Sequence, residues 1–122
     1  HGSEPEEAAA RKIAQLALNV AMLPRLGLNS LKAAIGMADL VIGGDTGPTH
    51  IAWGMNVPSI ALFGATPSNC IVPTERNRIM ISGSCANYGK PNPGDLSVRE
   101  IRTDEVLHIA RELLEKFSGV KR

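Results

Sequence analysis

Apolar and polar residues alternate along the chain in blocks that predict helices and strands in turn. Apolar residues spaced three or four apart predict a first helix over 4–18, a second over 31–38 and a last one that Thr103 caps and Gly119 ends. Short apolar runs predict strands at 19–23, 40–43, 59–63 and 78–81, and a short helix to about residue 55 follows the second strand. The segment 83–102 holds several glycines and prolines and is interpreted as a long loop.

This order of elements predicts an α/β fold. Alternating helices and strands form an open parallel sheet with helices on both faces, and 122 residues suffice for one domain of this kind. Ligands of such sheets bind beyond the carboxyl ends of the strands. We therefore expect three loops, at 24–27, 43–48 and 64–69, to converge at that edge.

The composition of the chain argues against several classes of function. Hydrophobic residues make up 43% of the chain and aromatic residues only 3%, so the core is aliphatic. The net charge of +1 and the lack of a basic run with interleaved aromatics argue against nucleic-acid binding. No apolar run reaches the roughly 18 residues of a membrane span, and no secretory signal is visible. We expect Cys70 and Cys85 to be free thiols in a reducing compartment, although a disulfide between them stays open.

The turn after the second strand carries the candidate chemistry. The stretch ADLVIGGDTGP, at 38–48, reads as an apolar strand, two glycines, Asp45-Thr46-Gly47, and then Pro48 at a helix start. The first N–H groups of a helix have no partner within it and attract anions. Asp45 and Thr46 suit a helix cap, and glycine lets backbone approach a ligand closely. The same residues also fit an ordinary capped turn between a strand and a helix, because short glycine motifs are weak signals.

Other polar side chains around this turn have both a functional and a structural interpretation. His50 could neutralise a phosphate when protonated, or it could be a helix residue bonded to a neighbour. Asp45 would repel phosphate but can accept from a hydroxyl or from His50. Thr66 could touch the same ligand or serve as a turn residue, and Glu6 could bind ribose hydroxyls or remain a solvated acid at a helix start. Trp53, the only tryptophan, fits core or interface better than base stacking.

The tripeptide Asp-Thr-Gly also occurs in aspartic proteases, where two such aspartates share a proton. A chain of 122 residues could supply half of that site as a dimer. The protease fold is nearly all-β, however, whereas a helical pattern and a parallel-sheet strand follow Asp-Thr-Gly here. The surroundings of the tripeptide therefore count against this alternative.

The segment DLVIGGDTGPTHIAWGMNVPSIALFGATP resembles the signature of the heptosyltransferase family, glycosyltransferase family 9, which builds the inner core of lipopolysaccharide. A weaker likeness extends outward to 2–7, to 23–26 and to a last helix at 101–106, so that the resemblance covers most of the chain. The positions in register with the signature are Asp45, Thr46, Gly47, His50, Pro58, Phe63, Gly64 and Thr66.

The resemblance implies an enzyme of two Rossmann-like domains with a cleft between them. In this family the C-terminal domain binds the nucleotide-sugar donor, usually ADP-heptose, and the N-terminal domain binds a lipid-linked acceptor and supplies the catalytic base. The anomeric centre is inverted, and neither a metal nor another cofactor is required. The present chain corresponds to the donor-binding domain, one Rossmann-like half of the enzyme.

The resemblance also places residues around the donor, namely Asp45, Thr46, Gly47, His50, Glu6, Leu26 and Thr66. The backbone at 46–47 and the hydroxyl of Thr46 would hold the diphosphate. Asp45 and His50 would lie beside diphosphate and sugar, Glu6 would bind the ribose, and Leu26 would line the adenine pocket.

Parts of the family pattern are not found in the chain. The acceptor domain, its base, and the first donor-domain strand with its Thr/Ser and Lys are expected before residue 1, so this chain alone should not transfer sugar. We expect an uncovered sheet edge that favours self-association, and a cytoplasmic protein, with peripheral association of the full-length enzyme with the inner membrane left open. The alternative is a stand-alone Rossmann-like nucleotide-binding or interaction module without transferase activity.

Overall fold

The structure, a computed structural model, describes residues 3–64, 72–83, 96–117 and 119. The chain divides into two compact units, His1–Lys32 and Ala33–Arg122. Its elements in chain order are helices α1 (Glu4–Leu16) and α2 (Leu28–Met37), strand β1 (Val41–Gly44), helix α3 (Gly47–Gly54), strands β2 (Ser59–Phe63) and β3 (Asn77–Ile81), a 3-10 helix (Ser97–Glu100) and helix α4 (Thr103–Phe117).

The three strands form one parallel sheet in the order β1-β2-β3. In the register of the sheet, Val41 lies opposite Ser59, and Ser59 lies opposite Asn77. The central strand β2 is almost fully enclosed, since Ile60 and Ala61 are completely buried. The continuous apolar run at 59–63 therefore correctly predicted a strand covered on both faces.

Helices cover both faces of this sheet, which confirms the predicted α/β Rossmann-like class. Successive side chains of a strand point to opposite faces. Ile60 packs with Ala110 and Leu113 of α4, so this face of β2 lies under that helix. On the opposite face Gly43 of β1 lies against Thr49 of α3.

A buried polar side chain joins the starts of the second and third strands. The amide of Asn77 donates to the carbonyl of Val57 and to Oγ of Ser59, both at 2.9 Å. Its Oδ1 accepts from the hydroxyl of Thr74 at 3.0 Å. Buried polar groups cost free energy unless they are paired. These hydrogen bonds give both the nitrogen and the oxygen of the Asn77 side chain a partner.

The first unit corrects two predictions. Residues 19–23 form no strand; the N–H of Val20 instead bonds the carbonyl of Ala17 in a turn. A short apolar run becomes a strand only where a neighbouring strand supplies ladder hydrogen bonds. Helix α2 begins at Leu28, so Ser30 lies inside the helix and does not cap it, and the N–H of Leu31 bonds the carbonyl of Gly27.

The last part of the chain also departs from the prediction in one place. The 3-10 helix lies within the segment interpreted as a loop, of which 84–95 fall outside the described residues. It packs closely on Gly64, where an added Cβ would lie 3.1 Å from the backbone nitrogen of Val98. Helix α4 matches its predicted bounds, and Gly119 beyond it has a φ of 91°. Across the described residues, no helix has the combination of length and apolar character needed to span a membrane.

Candidate functional site

The turn between β1 and α3 forms at the carboxyl edge of the sheet. Strand β1 ends at Gly44, which lies opposite Leu62 of the parallel strand β2. Thr46 is the N-cap of α3 with an extended backbone, and its N–H bonds the carbonyl of Gly44 at 2.9 Å. Pro48 is the second residue of the helix, where its missing N–H costs nothing. The sequence therefore predicted the strand, the turn and the helix start correctly.

Asp45 and His50 are joined across the first turn of α3. Nε2 of His50 lies 2.9 Å from Oδ1 of Asp45, and both side chains are partly exposed. The sequence named this bond as one option for Asp45, and the structure shows it in place of a helix cap. With an ionised Asp45, Nε2 carries the shared hydrogen. The pair then has a net charge of zero when His50 is protonated and of minus one when it is neutral.

The backbone donors of this turn are only partly used. The N–H groups of Thr49 and His50 both bond the carbonyl of Thr46, at 3.1 and 3.2 Å. The N–H of Gly47 has no hydrogen-bond acceptor among the residues that the structure describes. A Cβ added at Gly47 would meet no atom of the described residues within 4 Å. A donor without a described acceptor therefore lies at the positive end of a helix, which suits an anion.

Behind the turn the packing is tight. Thr49 is 2% exposed, and a Cβ at Gly43 would lie only 2.6 Å from its Oγ1. Within the described part of the chain, the buried Oγ1 of Thr49 and Nε1 of Trp53 have no hydrogen-bond partner. The Trp53 ring is tilted 48° to that of His50, with centroids 6.0 Å apart. The half-buried Trp53 therefore lies between the core and the exposed His50.

Gly43 is a residue whose role the sequence did not reveal. We interpreted the glycine pair as room for a ligand, but the structure shows that room at 43 is taken by Thr49 of the same chain. This contact joins residues six apart and depends on how α3 lies on β1. A motif of strand, glycine pair and helix contains no signal for it.

The remaining predicted residues are not part of this turn. Glu6 and Leu26 belong to the first unit, where the carboxylate of Glu6 accepts from the N–H of Ser3 at 3.0 Å in a capping box. The loop 24–27 does not follow a strand, contrary to our expectation. Thr66 lies outside the described residues, as do Cys70 and Cys85. The structure thus brings together Asp45, Thr46, Gly47 and His50 on one turn.

A depression of about 630 Å³ lies at the opposite edge of the sheet, between the start of β3 and the end of α4. Its two cations each face a carboxylate: Lys116 faces Glu75 at 3.2 Å, and Arg78 faces Glu112 at 3.9 Å. A groove whose cations already face carboxylates offers little attraction to a diphosphate. The depression is therefore the weaker candidate for a diphosphate site.

Comparisons with known proteins identify the family of the chain. The model of glycosyltransferase family 9 (heptosyltransferase) matches residues 1–95. The chain belongs to this family. This confirms the resemblance drawn from the sequence, although the match ends before the likeness noted at 101–106. The helix after Asp-Thr-Gly and the parallel sheet also exclude the aspartic-protease alternative.

Three relatives of this family member are each named lipopolysaccharide heptosyltransferase 1. The chain is 35% identical to the protein of Campylobacter coli over 97 residues, which are 78% of this chain and 28% of that protein. It is 37% identical to the protein of Pseudomonas aeruginosa over 65 residues (53% and 18%) and 31% identical to that of Salmonella typhimurium over 78 residues (64% and 25%). The chain thus spans less than a third of the length of these relatives. No solved structure matches it.

Proposed function

We propose that this chain is the donor-binding part of an inverting glycosyltransferase that transfers heptose from ADP-heptose to the lipopolysaccharide inner core. Membership of the heptosyltransferase family supports the class of reaction. The observation that carries the proposal is the first turn of α3, where the N–H of Gly47 has no acceptor among the described residues and a Cβ at 47 would meet none of their atoms within 4 Å.

The diphosphate is the part of the donor that this turn suits best. Its oxygens would accept from the N–H of Gly47 and from the hydroxyl of Thr46, at the positive end of α3. Negative charge grows on the leaving ADP as the glycosidic bond breaks. Donors that are already in place stabilise that charge without reorganising, so they favour the transition state over the ground state.

The Asp45–His50 pair has a different role in this proposal. Because the pair brings no net positive charge, the attraction for phosphate comes from the backbone donors. Oδ1 of Asp45 contacts His50, which leaves Oδ2 to accept from a sugar hydroxyl. His50 holds the carboxylate in that orientation, since its Nε2 fixes one of the two oxygens.

Other parts of the proposal follow from the resemblance alone. Glu6 is assigned to the ribose, Leu26 to the adenine and Thr66 to the same donor, and these assignments stay predictions. A lipid-linked acceptor and the catalytic base belong to another domain of the enzyme, so no catalytic residue is assigned here.

The proposal uses no metal or other cofactor, and it places the enzyme in the cytoplasm, at the surface of the inner membrane. Self-association through the edge strand β1, where Ile42 is exposed, also stays a prediction.

Calorimetric titration with ADP, without added metal, tests the proposal. We expect ADP to bind in preference to GDP and UDP, and Asp45→Ala and His50→Ala each to weaken it. His108→Ala is a matched control, because His108 is an exposed histidine on α4, and it should leave binding unchanged. The same titration on the longest gene product that contains this chain is the second arm. If neither protein binds ADP while folded, the proposal fails. ADP binding by a gene product that transfers no sugar would favour the stand-alone nucleotide-binding module.

A further inference from the structure

Strand β1 and helix α3 approach so closely that no side chain fits at position 43. An added Cβ would lie 2.6 Å from Oγ1 of Thr49 and 4.0 Å from its Cβ, and real Cβ atoms essentially never come within 3.0 Å of another heavy atom. The backbone of Gly43 lies outside the left-handed region. Lack of room, and not an unusual backbone conformation, is therefore what requires glycine here.

Thr49 has little freedom to give way. It is almost fully buried, and Ala52, one turn further along the helix, is completely buried. Helix α3 packs against both β1 and β2. A methyl group at 43 would therefore have to turn the Thr49 side chain within its buried site or displace the start of the helix, because close-packed interiors transmit strain.

The start of that helix is the candidate ligand site. The N–H of Thr49 bonds the carbonyl of Thr46 at 3.1 Å, and that of the next residue, His50, bonds the same carbonyl at 3.2 Å. A displacement of Thr49 therefore moves the cap, the first-turn donors and the His50 side chain that reaches Asp45. The contact between Gly43 and Thr49 and the polar groups of the first turn of α3 are therefore coupled, because a shift in the first moves the second.

We propose that Gly43 is a positioning residue for this site. The missing side chain at 43 lets Thr49 lie against β1, which sets the direction of the Gly47 N–H and the distance between Asp45 and His50. The inference rests on the proposed function, since it assumes that the first turn of α3 receives the donor diphosphate. The two glycines then have separate tasks: Gly43 makes room for the helix, and Gly47 makes room for the ligand.

A rescue experiment tests the contact directly. Gly43→Ala introduces the clash, and combining it with Thr49→Ala removes the obstructing Oγ1 while leaving a Cβ at an ordinary 4.0 Å. Gly54→Ala is the matched control, because it lies in the same helix and its Cβ would meet no atom within 4 Å. Each variant is titrated with ADP by calorimetry. The NMR shifts of the Gly47 amide and the His50 imidazole nitrogens report the turn geometry without any nucleotide.

We expect Gly43→Ala to weaken ADP binding by about tenfold or more, since small displacements of a preorganised site have effects of this size, and to move both sets of NMR shifts. The double variant should return both readouts close to those of the unmodified protein, and Gly54→Ala should leave them unchanged. Thr49→Ala alone should also bind ADP normally, because its Oγ1 makes no hydrogen bond within the described residues.

Three outcomes would overturn the inference. One is a Gly43→Ala protein with unchanged ADP affinity and unchanged NMR shifts. Another is a double variant that remains as impaired as Gly43→Ala, which would show that Thr49 is not the obstruction. If Gly43→Ala does not fold by circular dichroism, the double variant decides: a folded protein with normal shifts supports the contact, and an unfolded one overturns it. If neither the unmodified chain nor the longest gene product that contains it binds ADP, the proposed function fails, while the NMR arm still tests the positioning contact.

Discussion

Replacing Gly47 with alanine distinguishes an effect on the stability of the fold from an effect on ligand binding. In the structure a Cβ at this position would meet no atom of the described residues within 4 Å, and its φ lies outside the left-handed region. The constraint visible within the protein is Pro48, because a residue with a Cβ is disfavoured in the helical region directly before a proline. The proposed diphosphate is a stronger reason for glycine, because the new methyl group would occupy the space from which a phosphate oxygen reaches the backbone N–H.

The two expected effects differ in size. Gly→Ala at a compatible position stabilises a protein by about 0.4–1 kcal/mol, mainly because the unfolded chain loses freedom, and the restriction on a residue before Pro48 acts against this gain. For a chain of this length we expect a change in Tm of at most about 4 °C. A hydrogen bond to a charged group contributes about 1.5–3 kcal/mol, so its loss should weaken ADP binding roughly 10- to 150-fold.

Thermal unfolding and calorimetric ADP titration of the same protein sample measure both effects. Gly54→Ala, at the other end of the helix and equally unobstructed, should share any gain in stability but keep normal affinity. A Gly47→Ala protein that binds ADP as tightly as the unmodified protein would place the phosphate somewhere else. A clear fall in Tm would show instead that the first turn of α3 is not open.

Three further predictions concern the scaffold. Asn77→Ala leaves the buried Ser59 hydroxyl and a carbonyl without their donor, and we expect a loss of about 2–4 kcal/mol in urea unfolding. Gly64→Ala pushes a methyl against the backbone of the 3-10 helix and should cost about 1–3 kcal/mol in the same assay. The Arg102 guanidinium, which donates to both carboxylate oxygens, lowers the pKa of Asp104 below its usual 3.8. The stability that this pair contributes is present above pH 3.8 and is lost as pH falls through the lowered pKa, so the stability difference from Asp104→Asn should shrink toward acid pH.

Local signals explain what could be predicted from the sequence. Strand β2 was predicted to the residue, because a continuous apolar run between a helix break and a glycine needs no distant information. The apolar spacing of α4 located that helix nearly as well, although Thr103 is its first residue and not its cap. At the site, the Asp45–His50 bond was foreseeable because the two residues flank one helical turn, and side chains so placed meet across it.

Non-local contacts explain the errors. Residues 19–23 have the composition of a strand, but a strand exists only when another backbone pairs with it, and no local pattern reveals that partner. The same applies to Gly43: glycine is required there because Thr49 packs against it in the folded protein, and no local pattern reveals that contact. The capping box of Glu6 was a local signal that our interpretation did not note, with Ser3 three residues before it; the assignment of Glu6 to the ribose stays a prediction.

The position of Trp53 has a practical consequence. It is the only tryptophan in the chain, and its ring lies 6.0 Å from that of His50 in the first turn of α3. All tryptophan emission of this chain therefore originates beside the candidate site. The protein carries its own optical probe, which can follow occupation of the turn in real time without a label.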